Sequence, residues 1–251
     1  MLRARHSNPG KKNGAVTIMP RRQGESNKAW LERAGSDLGS DTPKVILMGG
    51  TSVADFRLRV AQSHSRRDMK PSFWSHAGVL LPGRGKQKWQ LWHVPLEVPR
   101  GLGEVPSRNG VERASLTYCS SQDRWPNLAL LEFGGVVGKE VSAQAKRMRQ
   151  ERLSIDLVTP LVQWLAFVWG ASGAVNPLLV GTAMPSASYV EAIYASLDVD
   201  LAPGMADRTH CPEAFWQSAK WWSNYYGSED PEAGPRGRFV IGQGAAAVVD
   251  H

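Results

Sequence analysis

Residues 75–82 read "SHAGVLLP", and the interpretation of the whole chain starts from this stretch. A polar Ser-His pair gives way to an apolar run, which predicts a strand. The segment "KWQLWHVPLEV" (88–98) predicts a second strand, and "PGRGKQ" (82–87) between the two has the composition of a hairpin turn. His76 is therefore expected where one strand begins, and His93 on its neighbour.

The residues before this hairpin predict a strand and a helix. "PKVILMGG" (43–50) is an apolar run stopped by two glycines, which indicates a strand and a turn. "SVADFRLRVAQSH" (52–64) fits a helix, because Ser52 can cap its start and Asp55 follows three residues later. After the hairpin, "NGVERASLTYC" and "NLALLEFGG" predict two more extended segments.

Beyond Lys139 the pattern becomes helical. The predicted helices are "KEVSAQAKRMRQERL", "DLVTPLVQWLAFVW", "SASYVEAIYASL" and "PEAFWQSAKWWSNYY". Strands followed by helices predict an α+β domain, which we place at residues 43–226. Residues 1–42 are interpreted as a mostly disordered basic tail with a short helix near "NKAWLERAG", and residues 227–251 as a loosely attached tail.

Charge and motifs narrow the functional classes. The net charge is +7, and residues 1–42 hold eight Lys/Arg against four Asp/Glu, so this tail predicts a weak contact with an anionic surface. A binder of nucleic acid or of an anionic surface therefore stays an alternative, although no sequence motif for reading DNA or RNA follows the tail. There is no phosphate loop, dinucleotide fingerprint or metal-ligand spacing, so we expect no cofactor and no metal.

Compartment and membrane association follow from simple counts. Two cysteines are too few for a disulfide framework, and the N-terminus lacks the apolar core of a secretory signal, so a cytoplasmic protein is expected. Residues 157–190 contain no charged residue, but the densely apolar part, "LVTPLVQWLAFVW", is shorter than the roughly 18–20 residues that a spanning helix needs. We expect a buried core helix and no membrane span.

His76 is the first candidate catalytic residue. A half-buried histidine titrates near neutral pH and can act as a general base, although an imidazole bonded to backbone is an equally simple interpretation. His93 can approach it across the hairpin and hold it in one tautomer. Glu97, on the same strand face as His93, is the competing orienting residue, and either of the two can instead face solvent.

Two residues are candidate nucleophiles. Cys211 precedes Pro212, which favours the first position of a helix, and a helix N-terminus is expected to lower the pKa of the thiol and keep it accessible. Ser186 follows Pro185 at the start of another predicted helix, where a serine often only caps the helix. Cys119 shows no activating context.

Together these segments resemble the permuted branch of the NlpC-type papain-like hydrolases, relatives of the lecithin:retinol acyltransferase-like enzymes. "VILMGG", a helix, "SHAGVLL" on a strand, a polar residue on the next strand and a later helix leading to "VDLAP" follow the family's order. In "SASYVEAIYASLDVDLAP", Ser186 falls on the position of the family's cysteine nucleophile. The resemblance covers about residues 43–225, and "CPE" (211–213) matches a later turn of the family.

The resemblance implies a papain-like antiparallel sheet packed against C-terminal helices. It implies hydrolysis or acyl transfer at an amide, thioester or ester through an acyl-enzyme, with a peptide, a peptidoglycan-like molecule or an acyl compound as substrate. His76 would be the base and His93 the orienting residue. Serine at the cysteine position leaves four explanations: a serine-using enzyme, an inactive module that still binds its ligand, a site shifted to Cys211, or an engineered substitution. Arg57 and Arg59 would bind an acidic substrate group or form a solvated helix face.

Overall fold

A computed structural model describes residues 15–83, 88–96, 108–203, 210–226 and 234–242. The strands are β1 (Val16–Ile18), β2 (Lys44–Gly49), β3 (His76–Pro82), β4 (Trp89–His93), β5 (Glu112–Ser115), β6 (Asn127–Glu132) and β7 (Arg236–Val240). The helices are α1 (Asn27–Leu38), α2 (Val53–Ala61), α3 (Gly138–Gln150), α4 (Val158–Val168), α5 (Pro185–Ala195) and α6 (Pro212–Tyr226).

The described strands form one sheet in the order β1-β7-β6-β2-β3-β4-β5. All neighbours are antiparallel except β1 and β7, which are parallel, so the sheet is mixed rather than purely antiparallel. The expected α+β class is confirmed. The strands β2, β3, β4 and β6 and the helices α2 to α6 all lie in segments for which the sequence predicted them.

The sheet separates two apolar layers. On one face, which we call the α1 side, α1 packs Trp30 and Leu31 against Ile46, Leu80 and Leu128 of the sheet. On the other face, the α5 side, buried residues of α2 to α6 pack against alternate positions of the same strands, such as Val45 and Val79. Successive side chains of a strand point to opposite faces of the sheet, and both faces are covered by helices. Each central strand is therefore buried on both faces.

The two terminal segments are more ordered than the sequence predicted, although the short helix predicted near "NKAWLERAG" is present as α1. Residues 15–42 contribute β1 and α1, whose Trp30 is fully buried, and β7 lies between β1 and β6. These segments are ordered because α1 covers the α1 side of the sheet, and β7 satisfies the backbone groups at the edge of β6. Residues 1–14 and 243–251 lie outside the described residues.

As the sequence predicted, Ser52 and Asp55 cap the N-terminus of α2. The Ser52 hydroxyl accepts a hydrogen bond from the Asp55 N–H at 3.1 Å, and the Asp55 carboxylate accepts from the Ser52 N–H, which completes a capping box. α4 packs Leu161 and Trp164 into the core, as expected for a core helix. Among the described helices, none combines the length and the apolar character needed to cross a bilayer.

Candidate active site

β3 and β4 bring two histidines together. The register pairs Gly78 with His93, and His76 Nε2 lies 2.8 Å from His93 Nδ1. A larger residue at position 78 would be crowded, because its Cβ would lie 3.0 Å from the backbone carbonyl oxygen of Trp92 and 3.2 Å from the Cβ of His93. Both histidines are buried, with 4% and 0% of their surfaces exposed. The sequence predicted that His93 could approach His76, and the structure places the two rings in hydrogen-bond contact.

The segment before β3 is held by buried polar contacts. The Ser72 hydroxyl donates to Glu213 Oε2 at 2.6 Å and accepts from the Trp74 N–H at 2.9 Å. The Ser75 N–H donates to the Met48 carbonyl at 2.8 Å, so the chain already runs beside β2 when it reaches His76. The position of His76 is therefore fixed by hydrogen bonds to β2 and α6.

Aromatic rings surround the histidine pair on the α1 side. The ring centroid of Tyr118 lies 4.4 Å from that of His93, and the ring of Trp125 lies 6.3 Å from that of His76. The loop that carries Trp125 is tied to α1, because the Asn27 side-chain amide donates to the carbonyls of Cys119, Ser121 and Trp125 at 2.9–3.0 Å. Sequence reasoning missed these rings, since their approach depends on the packing of this loop.

A buried carboxylate lies near the histidine pair. Asp55 accepts a hydrogen bond from the Ser75 hydroxyl at 2.8 Å and forms an ion pair with Arg124 at 3.2 Å. The same Ser75 hydroxyl accepts from the Gly50 N–H at 3.0 Å. Sequence reasoning treated Asp55 as a capping residue only. In the structure it also links α2 to the residue just before His76.

Burial keeps both imidazoles neutral. Burial lowers the pKa of His76 to about 4; the nearby Asp55 carboxylate opposes this shift and Arg124 adds to it. Burial, and then the neighbouring His76, also hold the pKa of His93 well below its usual value. At neutral pH each ring therefore has one N–H donor and one acceptor nitrogen, and one ring donates to the other across the 2.8 Å contact.

Ser186 lies at the start of α5, directly after Pro185. Its side chain is fully buried, and its hydroxyl accepts a hydrogen bond from the Ala77 N–H at 3.4 Å. Ala77 follows His76 in β3, so the hydroxyl reaches the backbone beside the histidine pair. Among the described residues, no hydrogen bond joins Ser186 to a ring nitrogen of His76. The helix approaches from the α5 side, where Ala187 and Val190 pack on the sheet.

Cys211 lies in a different environment from the one expected. α6 begins at Pro212 as predicted, but Cys211 is fully buried, and its Sγ lies 3.9 Å from the Ser65 hydroxyl. Burial raises the pKa of the Cys211 thiol to about 11, and it outweighs the hydrogen bonds from Ala214 and Ser65 that lower it. The expectation of a lowered pKa and an accessible thiolate is wrong, because desolvation exceeds the effect of the helix end.

We expect both cysteines to resist alkylation in the folded protein. Burial also raises the pKa of Cys119, to about 12, so at neutral pH fewer than about one thiol in a thousand is ionised at either position. Iodoacetamide followed by mass spectrometry should find both thiols unmodified in buffer and modified in urea. Rapid alkylation of native Cys211 would restore it as a candidate nucleophile.

Of three further sequence-based candidates, the structure places two. Glu97 lies outside the described residues. Arg57 donates to the Val168 carbonyl at 2.8 Å, and the buried Arg59 donates to the Ser72 carbonyl at 2.6 Å. These two guanidinium groups therefore join neighbouring segments, and Arg59 is not part of a solvated helix face. No cluster of three or more metal-ligating side chains occurs within the described ranges.

No family model, curated protein or solved structure matches the chain.

Proposed function

We propose that the protein is a papain-like hydrolase or acyltransferase that uses Ser186 as nucleophile, His76 as general base and His93 as the residue that orients the base. The observation that carries this proposal is the 2.8 Å contact between His76 Nε2 and His93 Nδ1, in a strand whose next residue, Ala77, donates a hydrogen bond to the Ser186 hydroxyl at the start of α5. The substrate would be an amide, thioester or ester of a peptide, a peptidoglycan-like molecule or another acyl compound.

The neutral histidine pair supports the role of His76 as a base. If His76 Nε2–H donates to His93 Nδ1, then Nδ1 of His76 keeps its lone pair and can accept a proton. In the reaction this nitrogen takes the proton of the Ser186 hydroxyl while Oγ bonds to the carbonyl carbon of the substrate. The same proton then passes to the leaving group as the acyl bond breaks, and water or a second acceptor releases the acyl group.

The start of α5 supports the stabilisation of the oxyanion. Among the described residues no side chain caps this helix, so the N–H groups of Ser186 and Ala187 would be the donors to an oxygen that becomes negative in the tetrahedral intermediate. The Ser186 hydroxyl bonds to the Ala77 N–H from the α5 side, whereas the rings of His76 and His93 lie on the α1 side beside Trp125 and Tyr118. The reaction therefore requires a rearrangement at the start of β3 that brings the His76 ring to the hydroxyl. The hydrogen bond that the hydroxyl gives up is long, at 3.4 Å, and therefore weak.

A catalytically inactive ligand-binding module on the same fold is the second candidate. Two observations favour it: the Ser186 hydroxyl is fully buried, and it bonds to backbone instead of to His76. A serine also needs stronger help from a base than a cysteine does, because it has no accessible anion near neutral pH.

Covalent labelling separates the two candidates. Under the proposal, a fluorophosphonate labels Ser186, and His76→Ala slows this labelling by about 10²–10⁴-fold, the usual contribution of a general base. His64→Ala is the matched control, because His64 is an exposed histidine in a turn after α2. Mass spectrometry locates the adduct, and thermal unfolding checks that each variant is folded.

The variant Ser186→Cys makes the test sharper. If His76 activates whatever nucleophile stands at this position, the new thiol should react with iodoacetamide in a His76-dependent manner, whereas Ser188→Cys on the same helix should not. An inactive module predicts no adduct on wild-type Ser186 and no dependence of the new thiol on His76. That pair of results would refute the enzymatic proposal.

A further inference from the structure

A large cavity lies between α3 and the β3–β5 end of the sheet, on the α5 side. Its volume is about 1090 Å³. We call it the α3 groove; its lining comprises Asp41, Leu81, Pro82, Gly83, Gln90, Trp92, Arg113, Val137, Gly138, Lys139, Ser142, Ala143, Lys146, Arg147, Gln150 and Glu151. The lining includes none of His76, His93 and Ser186, so the groove is separate from the candidate active site.

The α3 groove has an excess of positive charge. Arg147 forms an ion pair with Glu151 at 2.9 Å. Arg113, Lys139 and Lys146 also line it, and within the described part of the chain none of these three forms an ion pair. Asp41 is the remaining acidic residue of the lining. Three exposed cations from β5 and α3 thus surround one space without carboxylate partners.

A fourth cation, Arg149, lies next to the groove, against the lining residue Trp92. The Arg149 guanidinium lies over the ring of Trp92 at 5.9 Å, and its buried Nε has no hydrogen-bond partner among the described residues. Burial, and then the charges of Arg108 and Arg113, lower the pKa of Arg149. Arg149 as a whole is only half-buried, so it adds positive charge beside the groove and leaves one buried N–H without an acceptor.

We propose that the α3 groove binds a ligand that carries two or more phosphate groups. Lys139 and Lys146 are seven residues apart on α3, which separates them by about 10 Å along the helix. Arg113 faces them from β5, and a guanidinium can bond two phosphate oxygens at once. The volume is slightly above the usual range for small-molecule pockets, which leaves room for an organic polyphosphate.

Inorganic tripolyphosphate is the probe for this site. Calorimetry should show that it binds the wild-type protein, and thermal unfolding should show a higher Tm in its presence. In the double variant Arg113→Gln/Lys146→Gln, two charge-assisted contacts are lost, so we expect Kd to rise by about a hundredfold. The Tm of the double variant without ligand should not fall, because Arg113 repels Arg149 and Lys146 is exposed and forms no ion pair with a described residue.

The double variant Lys28→Gln/Arg67→Gln is the matched control, since it removes one lysine and one arginine that are exposed elsewhere. Its Kd should stay within about twofold of the wild-type value. The loss of a single charge-assisted contact would raise Kd by roughly tenfold. An equal loss of affinity in the control would show attraction by overall charge and overturn the proposal. The absence of tripolyphosphate binding would also overturn the proposal. A single-stranded oligonucleotide that binds the groove and is not displaced by tripolyphosphate would overturn it as well.

Discussion

Replacing Trp30 by alanine is expected to lower the free energy of unfolding by about 3–5 kcal/mol, the range for large-to-small substitutions of buried aromatic residues. Trp30 is fully buried under the sheet on the α1 side, and its Nε1–H donates to the Met19 carbonyl at 2.8 Å. The substitution removes the largest side chain of α1 from the core and leaves the Met19 carbonyl without its donor.

Urea unfolding followed by far-ultraviolet circular dichroism measures this effect. Trp221→Ala is the matched control, because Trp221 is 54% exposed on α6 and its loss should cost less than about 1 kcal/mol. If Trp30→Ala cost no more than the control, residues 15–42 would not be part of the folded domain. That result would support the prediction from the sequence that residues 1–42 form a disordered tail.

Acid is expected to destabilise the protein through the histidine pair. The pKa of His76 is about 4 in the folded chain and about 6.5 in the unfolded chain, so between these values the unfolded state binds more protons. Stability therefore falls as the pH is lowered from about 6.5 to about 4, and His76 alone contributes about 3 kcal/mol. Below about pH 4 its contribution changes no further.

Two charged neighbours affect the pKa of His76: Asp55 favours the protonated form and Arg124 disfavours it. The pKa of His93 is lowered too, so His93 makes the protein less stable in acid in the same direction. Glu25 titrates mostly below this window, since its hydrogen bond to Arg33 lowers its pKa to about 2.

The difference between wild type and His76→Gln isolates the histidine contribution. Urea unfolding at a series of pH values should give a shallower dependence between about pH 4 and pH 6.5 for His76→Gln than for the wild type. His64→Gln, which changes an exposed histidine, should keep the wild-type slope. Parallel curves for all three proteins would show that His76 is not buried in its neutral form.

Much of the central fold could be predicted because its signals are local. Ser52 and Asp55 are three residues apart, and their reciprocal hydrogen bonds need only the first turn of α2. His76 and His93 lie on the two arms of a hairpin, so their contact follows from the pairing of consecutive strands. These interactions depend on residues that are close together in the sequence.

The missed features depend on contacts between distant segments. β1 has only three residues and pairs with β7 from the other end of the chain, so neither segment carries a strong strand signal by itself. Likewise, burial at the start of α6 raises the pKa of Cys211. The sequence Cys-Pro-Glu indicates that a helix begins there, but it does not show that the thiol is buried. The carboxylate of Asp55 near His76 also appears only after α2 packs beside β3.

The position of β7 constrains how the protein can be completed during synthesis. It is the last strand that the structure describes, yet it lies between β1, the first, and β6. During synthesis β1 therefore cannot pair with β7 until residue 240 has left the ribosome. Until then, the edge of β6 that pairs with β7 also has unpaired backbone groups. The sheet is complete only after β7 is inserted between β1 and β6.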